Sequence, residues 1–382
     1  MVTLSGSYWS SPVTVPGVRI AVGATQTIDV VLQSEAPTSS PWTITVTDLS
    51  LYMGTKATAA TQLTLDQSSG QSGDVLHLTI KVLASDQRPP GYPRGMHTRA
   101  LGNAGLAVSA VGLGGMYLSI DGRPSESDAV RTLQAAFDAG VTFVDTADVY
   151  CLDHRDIGHN ERLVARAIRE GGRRSIVVAT KGGLERPRGA WTRNARPSHL
   201  RRACEASLAA LGVERIDVYQ LHAPDPSVPL AESVGELARL RTEGKIAHVG
   251  LSNVTVSEIE QARAIVPIVS VQNRWNPGHR APETEGVLAH CTAHDIAFLP
   301  YSPFGGASGA RRLGDTGSLA AEAKRRGMSP HRLVIAWMLA KSPTVIAIPG
   351  ARRVESIVDS ASAADVRLSA ADVVAVEEAF SS

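Results

Sequence analysis

The chain has 382 residues, 43% hydrophobic and 20% charged, with a net charge of +1. This suits a globular protein of more than one domain, and excludes a disordered chain or one built around a basic nucleic-acid surface. No apolar run approaches the roughly 20 residues of a bilayer span, and the N-terminus carries neither a basic start nor an apolar signal run.

Cys151, Cys204 and Cys291 are too few and too widely spaced for a disulfide framework or a zinc motif. Free thiols in a cytoplasmic protein are expected, with no nucleic-acid or membrane partner.

Residues 1–84 are rich in Ser and Thr and alternate with period two in "VRIAV" (18–22), "TIDVVL" (27–32), "WTITVTD" (42–48), "QLTLD" (62–66) and "VLHLTIKV" (75–82). Strands separated by "SEAPTSSP" and "DQSSGQSGD" predict a small all-β, sandwich-like module with no evident chemistry. Its partner, if it binds one, is not named by the residues. "SDQRPPGYPRG" (85–95) reads as a linker.

From Met96 the pattern changes to strand-length apolar runs alternating with amphipathic helices. The expected strands are 108–114, 142–146, 175–181, 216–222, 247–252, 268–273, 296–302 and 344–350. The expected helices are 126–139, 161–170, 198–211, 230–243, 256–264, 284–294, 318–327 and 353–362, with a last one at 370–380. Eight βα units within 96–382 favour an α/β fold of the (β/α)8 TIM-barrel type over a doubly wound sheet.

Barrel active sites lie at the C-terminal ends of the strands. There the apolar runs end in Asp145, Lys181, His222, Ser252–Asn253, Gln272–Asn273 and Tyr301–Ser302. Each alone is unremarkable: a lone His is usually a loop residue, a Lys is usually solvated, and an Asp often makes a turn. Three ionisable groups ending three consecutive strands are harder to dismiss. Asp145 and Lys181 should form a partly buried ion pair beside Tyr150, and the cation should lower the phenol pKa from about 10. A proton donor without a nucleophile motif suits carbonyl reduction with a hydride-carrying cofactor. "GLGGMY" (112–117) has Tyr117 where a dinucleotide fingerprint needs glycine, so any nicotinamide cofactor must bind the barrel mouth.

Several separated motifs, in order, carry a resemblance: "GLGGM", "DTADVY", "ATKGG", "YQLHAPD", "GKIAHVGLSN", "VQN", "PYSPF" and "IPGARR". With these, residues 96–380 resemble the aldo/keto reductases, and Met96 sits where a free-standing member would start. The resemblance implies a catalytic tetrad of Tyr150 (general acid), Lys181 (its pKa modifier), Asp145 (holding Lys181) and His222 (orienting the carbonyl). It implies NADPH, with Ser252, Asn253 and Gln272 on the carboxamide and Tyr301 stacked on the nicotinamide. Ser302, Phe304 and Gly350 would meet pyrophosphate and ribose, Arg352 the 2′-phosphate, and Gly115 and Met116 the cofactor after strand one. The family's Glu-Asn at the adenine is Asp359-Ser360 here. The expected activity is NADPH-dependent, reversible reduction of a small-molecule aldehyde or ketone; the alternative is a redox-sensing or scaffolding barrel that holds NADPH with little turnover.

The segment after Tyr150, "CLDHRDIGH", is longer than is usual for the family, and Glu161 lies eleven residues beyond Tyr150. It reads as a solvated flap or a substrate-lining loop, with Asp153, His154, Asp156 and His159 as a less favoured metal set; the expectation is no metal. Cys151, His154 and Trp191 are the candidate substrate contacts.

Overall fold

The computed structural model describes residues 96–381 apart from 174, 315 and 316, and before them only the backbone of five short strands between residues 25 and 82. The chain divides into two compact units, Met1–Tyr92 and Pro93–Ser382. In the first, Thr25–Val31 and Thr61–Leu65 flank Val75–Val82 in an antiparallel three-stranded sheet, and Trp42–Thr43 pairs with Ser69–Gly70. The strand expected at 18–22, most of that at 42–48, and the linker lie outside the described residues. The sandwich expectation depends on those segments.

The second unit is barrel-like. A seven-stranded parallel sheet runs in chain order through β1 (Leu113–Gly114), β2 (Phe143–Asp145), β3 (Val177–Gly182), β4 (Ile216–Leu221), β5 (Ile246–Ser252), β6 (Ile268–Gln272) and β7 (Ala297–Phe298). The expected strand at 344–350 is present only as isolated parallel bridges. Val345 pairs with Phe298 at one edge, and Ala347 and Gly350 pair with Val111 and Gly114 at the other. This segment therefore joins the two edges without a continuous ladder. The run expected at 108–114 also divides. Ala107–Ser109 pairs antiparallel with Thr98–Ala100, and only Leu113–Gly114 enters the parallel sheet.

Period-two alternation separates two cores. Phe143, Ala179, Val218, Val269, Ala297, Ile346 and Ile348 face inward and cluster with Leu101 and Val108 of the hairpin. Val144, Val178, Tyr219, Val249 and Val271 face outward against the helices. One step further along the inward face come Asp145, Lys181, Gln220, Ser252 and Gln272. The strand pleat places Asp145, Lys181 and Gln220 in this layer, and a register irregularity where β5 pairs with β6, at Val249/Gly250, accompanies the inward turn of Gln272, three residues beyond Val269.

Helices α1 (Glu126–Asp138), α2 (His159–Glu170), α3 (Pro197–Leu211), α4 (Leu230–Thr242), α5 (Val256–Arg263) and α6 (Val287–Ala293) follow β1 to β6. Their ends carry local signals. Ser125 caps α1 through the Asp128 amide, Thr255 and Glu258 form a reciprocal capping box on α5, and Gly212 ends α3 at φ +67°. Gly286, at φ +81°, starts α6, so the helix expected at 284–294 begins at Val287, after a separate short helix at Ala281–Thr284.

Two helices escaped the sequence reading, Gly306–Arg312 and Pro330–Lys341. The latter buries Leu333 through Leu339 without a break, so it lacks the one-sided periodicity that marks a surface helix. No helix among the described residues is long and apolar enough to cross a membrane, and all three cysteines are buried and free.

Candidate active site

Lys181 is the centre of the polar layer. Its Nζ donates to Asp145 Oδ2 at 2.6 Å, to the Thr146 carbonyl at 2.7 Å and to Tyr150 Oη at 3.0 Å. The ion pair was expected to be partly buried, but both side chains are almost wholly enclosed. Asp145 Oδ1 accepts from Gln220 Nε2 at 3.1 Å and Gln272 Nε2 at 2.7 Å. A buried charge pair is tolerable only when its remaining lone pairs are met in this way. Gly250 makes the crossing possible, because a Cβ there would come 2.3 Å from Ser270 Oγ and 2.9 Å from Gln220 Cγ. Gln220 was missed, although a Gln inside "IDVYQLH" was a usable signal: a polar group in a buried run needs a partner.

His222 ends β4 and stands edge-on to Tyr150, with ring centroids 5.8 Å apart. Its Nδ1 is buried and has no protein partner. Trp191 completes a three-ring corner, 6.4 Å from Tyr150 and 6.5 Å from His222, and is 46% exposed. The corner is fixed by a residue the sequence did not suggest. Arg186 stacks its guanidinium 4.0 Å over the Trp191 ring and donates to the carbonyls of Cys151 at 3.0 Å, Leu152 at 3.1 Å and Gly189 at 2.5 Å.

The electrostatics correct one expectation. Burial pushes the Tyr150 phenol above its usual value of 10; Lys181 opposes this, Asp145 reinforces it, and the net direction is up, not down. Lys181 loses stability as a cation through burial, but Asp145 and Tyr150 outweigh that and raise its pKa above 10.5. Burial, and then Lys181, drive His222 well below 6.5, so its imidazole is neutral. The neighbouring Asp148 is pushed well above the carboxylate range by burial and by Glu161. Glu161, buried and accepting from Thr180 Oγ1 at 2.5 Å, is raised by burial as well.

These groups open into a cavity of about 830 Å³ that extends from Tyr150, His222 and Trp191 to Asp359 and Ser360. Met116, Ser252, Asn253, Gln272, Tyr301, Ser302, Phe304, Gly350 and Arg352 also line it. Several are already engaged. Asn253, at φ +60°, donates to the His222 carbonyl at 3.0 Å and accepts from Tyr301 Oη at 2.8 Å. Arg352 donates to the Asp121 carbonyl at 2.8 Å and stacks near Tyr117. Asp359 accepts from Ser329 Oγ at 2.5 Å and Arg332 Nη2 at 2.7 Å. Arg311 and Arg353 line the same cavity and were not anticipated.

Three expected contacts are not cavity walls. Gly115 is a packing glycine: its N–H donates to the Asp145 carbonyl at 2.8 Å, and a Cβ there would lie 2.3 Å from Asn160 Oδ1. Cys151 turns inward, its Sγ donating to the Val149 carbonyl at 3.3 Å, and burial raises its thiol to about 11. His154 faces two separate surface hollows beside Arg186 and Arg188. The suggested metal set of residues 153–159 is dispersed. Asp153 pairs with Arg155, Asp156 with Arg123, and His159 bonds Ser119 Oγ at 2.8 Å.

Comparison with known proteins agrees with this geometry. The family model described as "Aldo/keto reductase family" matches residues 110–380. An uncharacterized oxidoreductase of Schizosaccharomyces pombe is 36% identical over 270 residues, 69% of this chain and 84% of that protein. A probable aldo-keto reductase 1 of Glycine max is 34% identical over 308 residues, covering 73% and 87%. The crystal structure of an aldo/keto reductase from Klebsiella pneumoniae in complex with NADP and acetate superposes with a TM-score of 0.62 at 29% identity, covering 73% of this chain and 94% of that one. The chain therefore belongs to the aldo/keto reductase family of NAD(P)H-dependent oxidoreductases.

Proposed function

We propose that the chain reduces an aldehyde or ketone reversibly to an alcohol, with NADPH as cofactor and Tyr150 as proton donor. The observation that carries this is the buried Lys181 ammonium, 2.6 Å from Asp145 and 3.0 Å from Tyr150 Oη at the cavity floor. A phenol with a raised pKa keeps its proton until a carbonyl oxygen gains charge beside it. Lys181 then stabilises the phenolate that Tyr150 leaves behind, and Asp145 fixes Lys181 in place. Neutral His222 orients the carbonyl oxygen by a hydrogen bond. Trp191, Met116 and Leu184 give the substrate end an apolar wall.

The cavity fits NADPH. Its lining includes the hydroxyls of Ser252, Tyr301, Ser302 and Ser360 and the guanidinium groups of Arg311, Arg352 and Arg353. A Cβ at Gly350 would come 2.6 Å from the Tyr117 ring, so glycine is what lets Tyr117 pack against this part of the lining. When bound, NADPH supplies the hydride. Ser252, Asn253 and Gln272 would hold its carboxamide and Tyr301 its nicotinamide face. Ser302, Phe304 and Gly350 would meet the pyrophosphate and ribose. The arginines would pair with the 2′-phosphate, and Asp359 and Ser360 would meet the adenine.

The barrel reading is an eight-stranded (β/α)8 fold closed by residues 345–350, spanning 96–382 after a β-rich module (1–84) and a linker (85–95). The free thiols fit a cytoplasmic setting.

The test is NADPH consumption, followed by absorbance, across a panel of aldehydes and ketones. Turnover with at least one carbonyl compound is expected. NADPH binding without turnover on any of them would overturn the proposal and leave the redox-sensing scaffold.

A further inference from the structure

We propose that Glu260, His290 and His294 form a binding site for a divalent transition-metal ion of the zinc class, away from the active site. His290 and His294 are four residues apart at the C-terminal end of α6, so both imidazoles lie on one face, with ring centroids 4.4 Å apart. Glu260, from α5, reaches the same point. One ligand atom from each of the three residues lies within 4.8 Å of the others. His290 Nε2 is buried, and its near neighbour is Glu260 Oε1 at 2.9 Å.

The donor chemistry selects the ion. Two imidazoles and one carboxylate are a zinc-type set, with a fourth position left for water, whereas calcium and magnesium favour all-oxygen sites. Bonds of about 2.1 Å in a tetrahedron put ligand atoms about 3.4 Å apart, so the widest pair, within 4.8 Å, closes by at most about 1.4 Å, while His290 Nε2 and Glu260 Oε1, now 2.9 Å apart, open slightly. Glu260 and His294 are exposed, and their present partners, Arg263 and His290, belong to the same cluster.

The site already accommodates positive charge. Arg263, one turn along α5, contacts the Glu260 carboxylate and places Nη2 3.2 Å from His294 Nδ1. Its side chain is 31% exposed, so a metal ion can displace it toward solvent. Glu260 lies in the second half of α5, and His290 and His294 at the end of α6, toward the barrel end opposite the strand C-termini that carry the active site. Residues at that face serve stability rather than chemistry. The ion would tie α5 to α6 and leave carbonyl turnover unchanged.

The test uses the tag-free full chain, stripped with chelator and titrated with Zn2+ by calorimetry and with Co2+ by visible absorbance. His294→Ala should weaken the site by at least about tenfold, since losing even an outer-shell partner of a metal ligand costs 10–100-fold. Arg263→Gln should tighten it, because the competing cation is gone. Zn2+ should raise the Tm of wild type but not of His294→Ala, with equal NADPH consumption by both. Binding of Zn2+ with wild-type affinity and stoichiometry by both variants, or no binding by wild type, would overturn the proposal.

Discussion

Tyr150 and His222 are perturbed in directions that set the pH behaviour of the enzyme. The Tyr150 proton is held above its usual value, and the His222 imidazole stays neutral well below 6.5. Reduction at saturating NADPH should therefore be flat between about pH 6 and 9 and should fall only as the phenol ionises. A rate inflection near pH 6.5 that disappears in His222→Gln would contradict this. Lys181→Met would leave Asp145 enclosed with its two amide donors and no cation. A loss of about 3–5 kcal/mol in urea unfolding is expected, and wild-type stability would show that the pair is solvated. The cluster of Asp145, Lys181 and His222 was legible because three ionisable side chains ended three consecutive apolar runs. The direction of the Tyr150 shift was not, because the sequence showed the neighbouring cation but not the depth of burial that outweighs it. Gly115 and Cys151 were misplaced for a related reason: adjacency to a motif does not reveal which way a residue faces.

At the scale of elements, the turn 186–191 and the segment 151–152 are held together by one side chain. Arg186→Met would remove both the stack on Trp191 and three carbonyl contacts. KM for bulky aromatic aldehydes should rise several-fold while kcat changes little; an unchanged KM would show that Trp191 does not need its support. Between β3 and α2, Glu161 is buried with a raised pKa. A group raised in the folded state contributes stability that is complete below its unfolded value, about 4.3, and is lost as pH rises through the folded value. Glu161→Gln keeps an acceptor for Thr180 and cannot ionise, so thermal unfolding should show a flatter decline above pH 5. A slope equal to wild type would assign the pH dependence elsewhere. Elements with a single apolar face and capping residues, such as α1 and α5, could be read to within a residue or two. Pro330–Lys341 could not, because burial on every side erases the period that identifies a helix.

For the molecule as a whole, the strand pleat positions most of the candidate site. It alternates an inner apolar core with an outer one, and one step further it delivers Asp145, Lys181 and Gln220 to a single layer, which Gln272 joins after the register irregularity between β5 and β6. Residues 93–382 form a compact unit of their own, so the chain begun at Met96 should consume NADPH at close to the full-length rate; a large loss would give the preceding residues a catalytic role. The repeated strand–helix order exposed the barrel to sequence reading. The strand at 344–350 was expected from the same order, but its hydrogen bonding reduces to isolated bridges, which local apolar pattern cannot reveal. The central claim rests on one hydroxyl, and Tyr150→Phe tests it most directly. With NADPH binding followed by fluorescence and turnover by absorbance, binding should be retained while turnover falls by about 10²–10⁴-fold. Turnover at the wild-type rate would contradict the account.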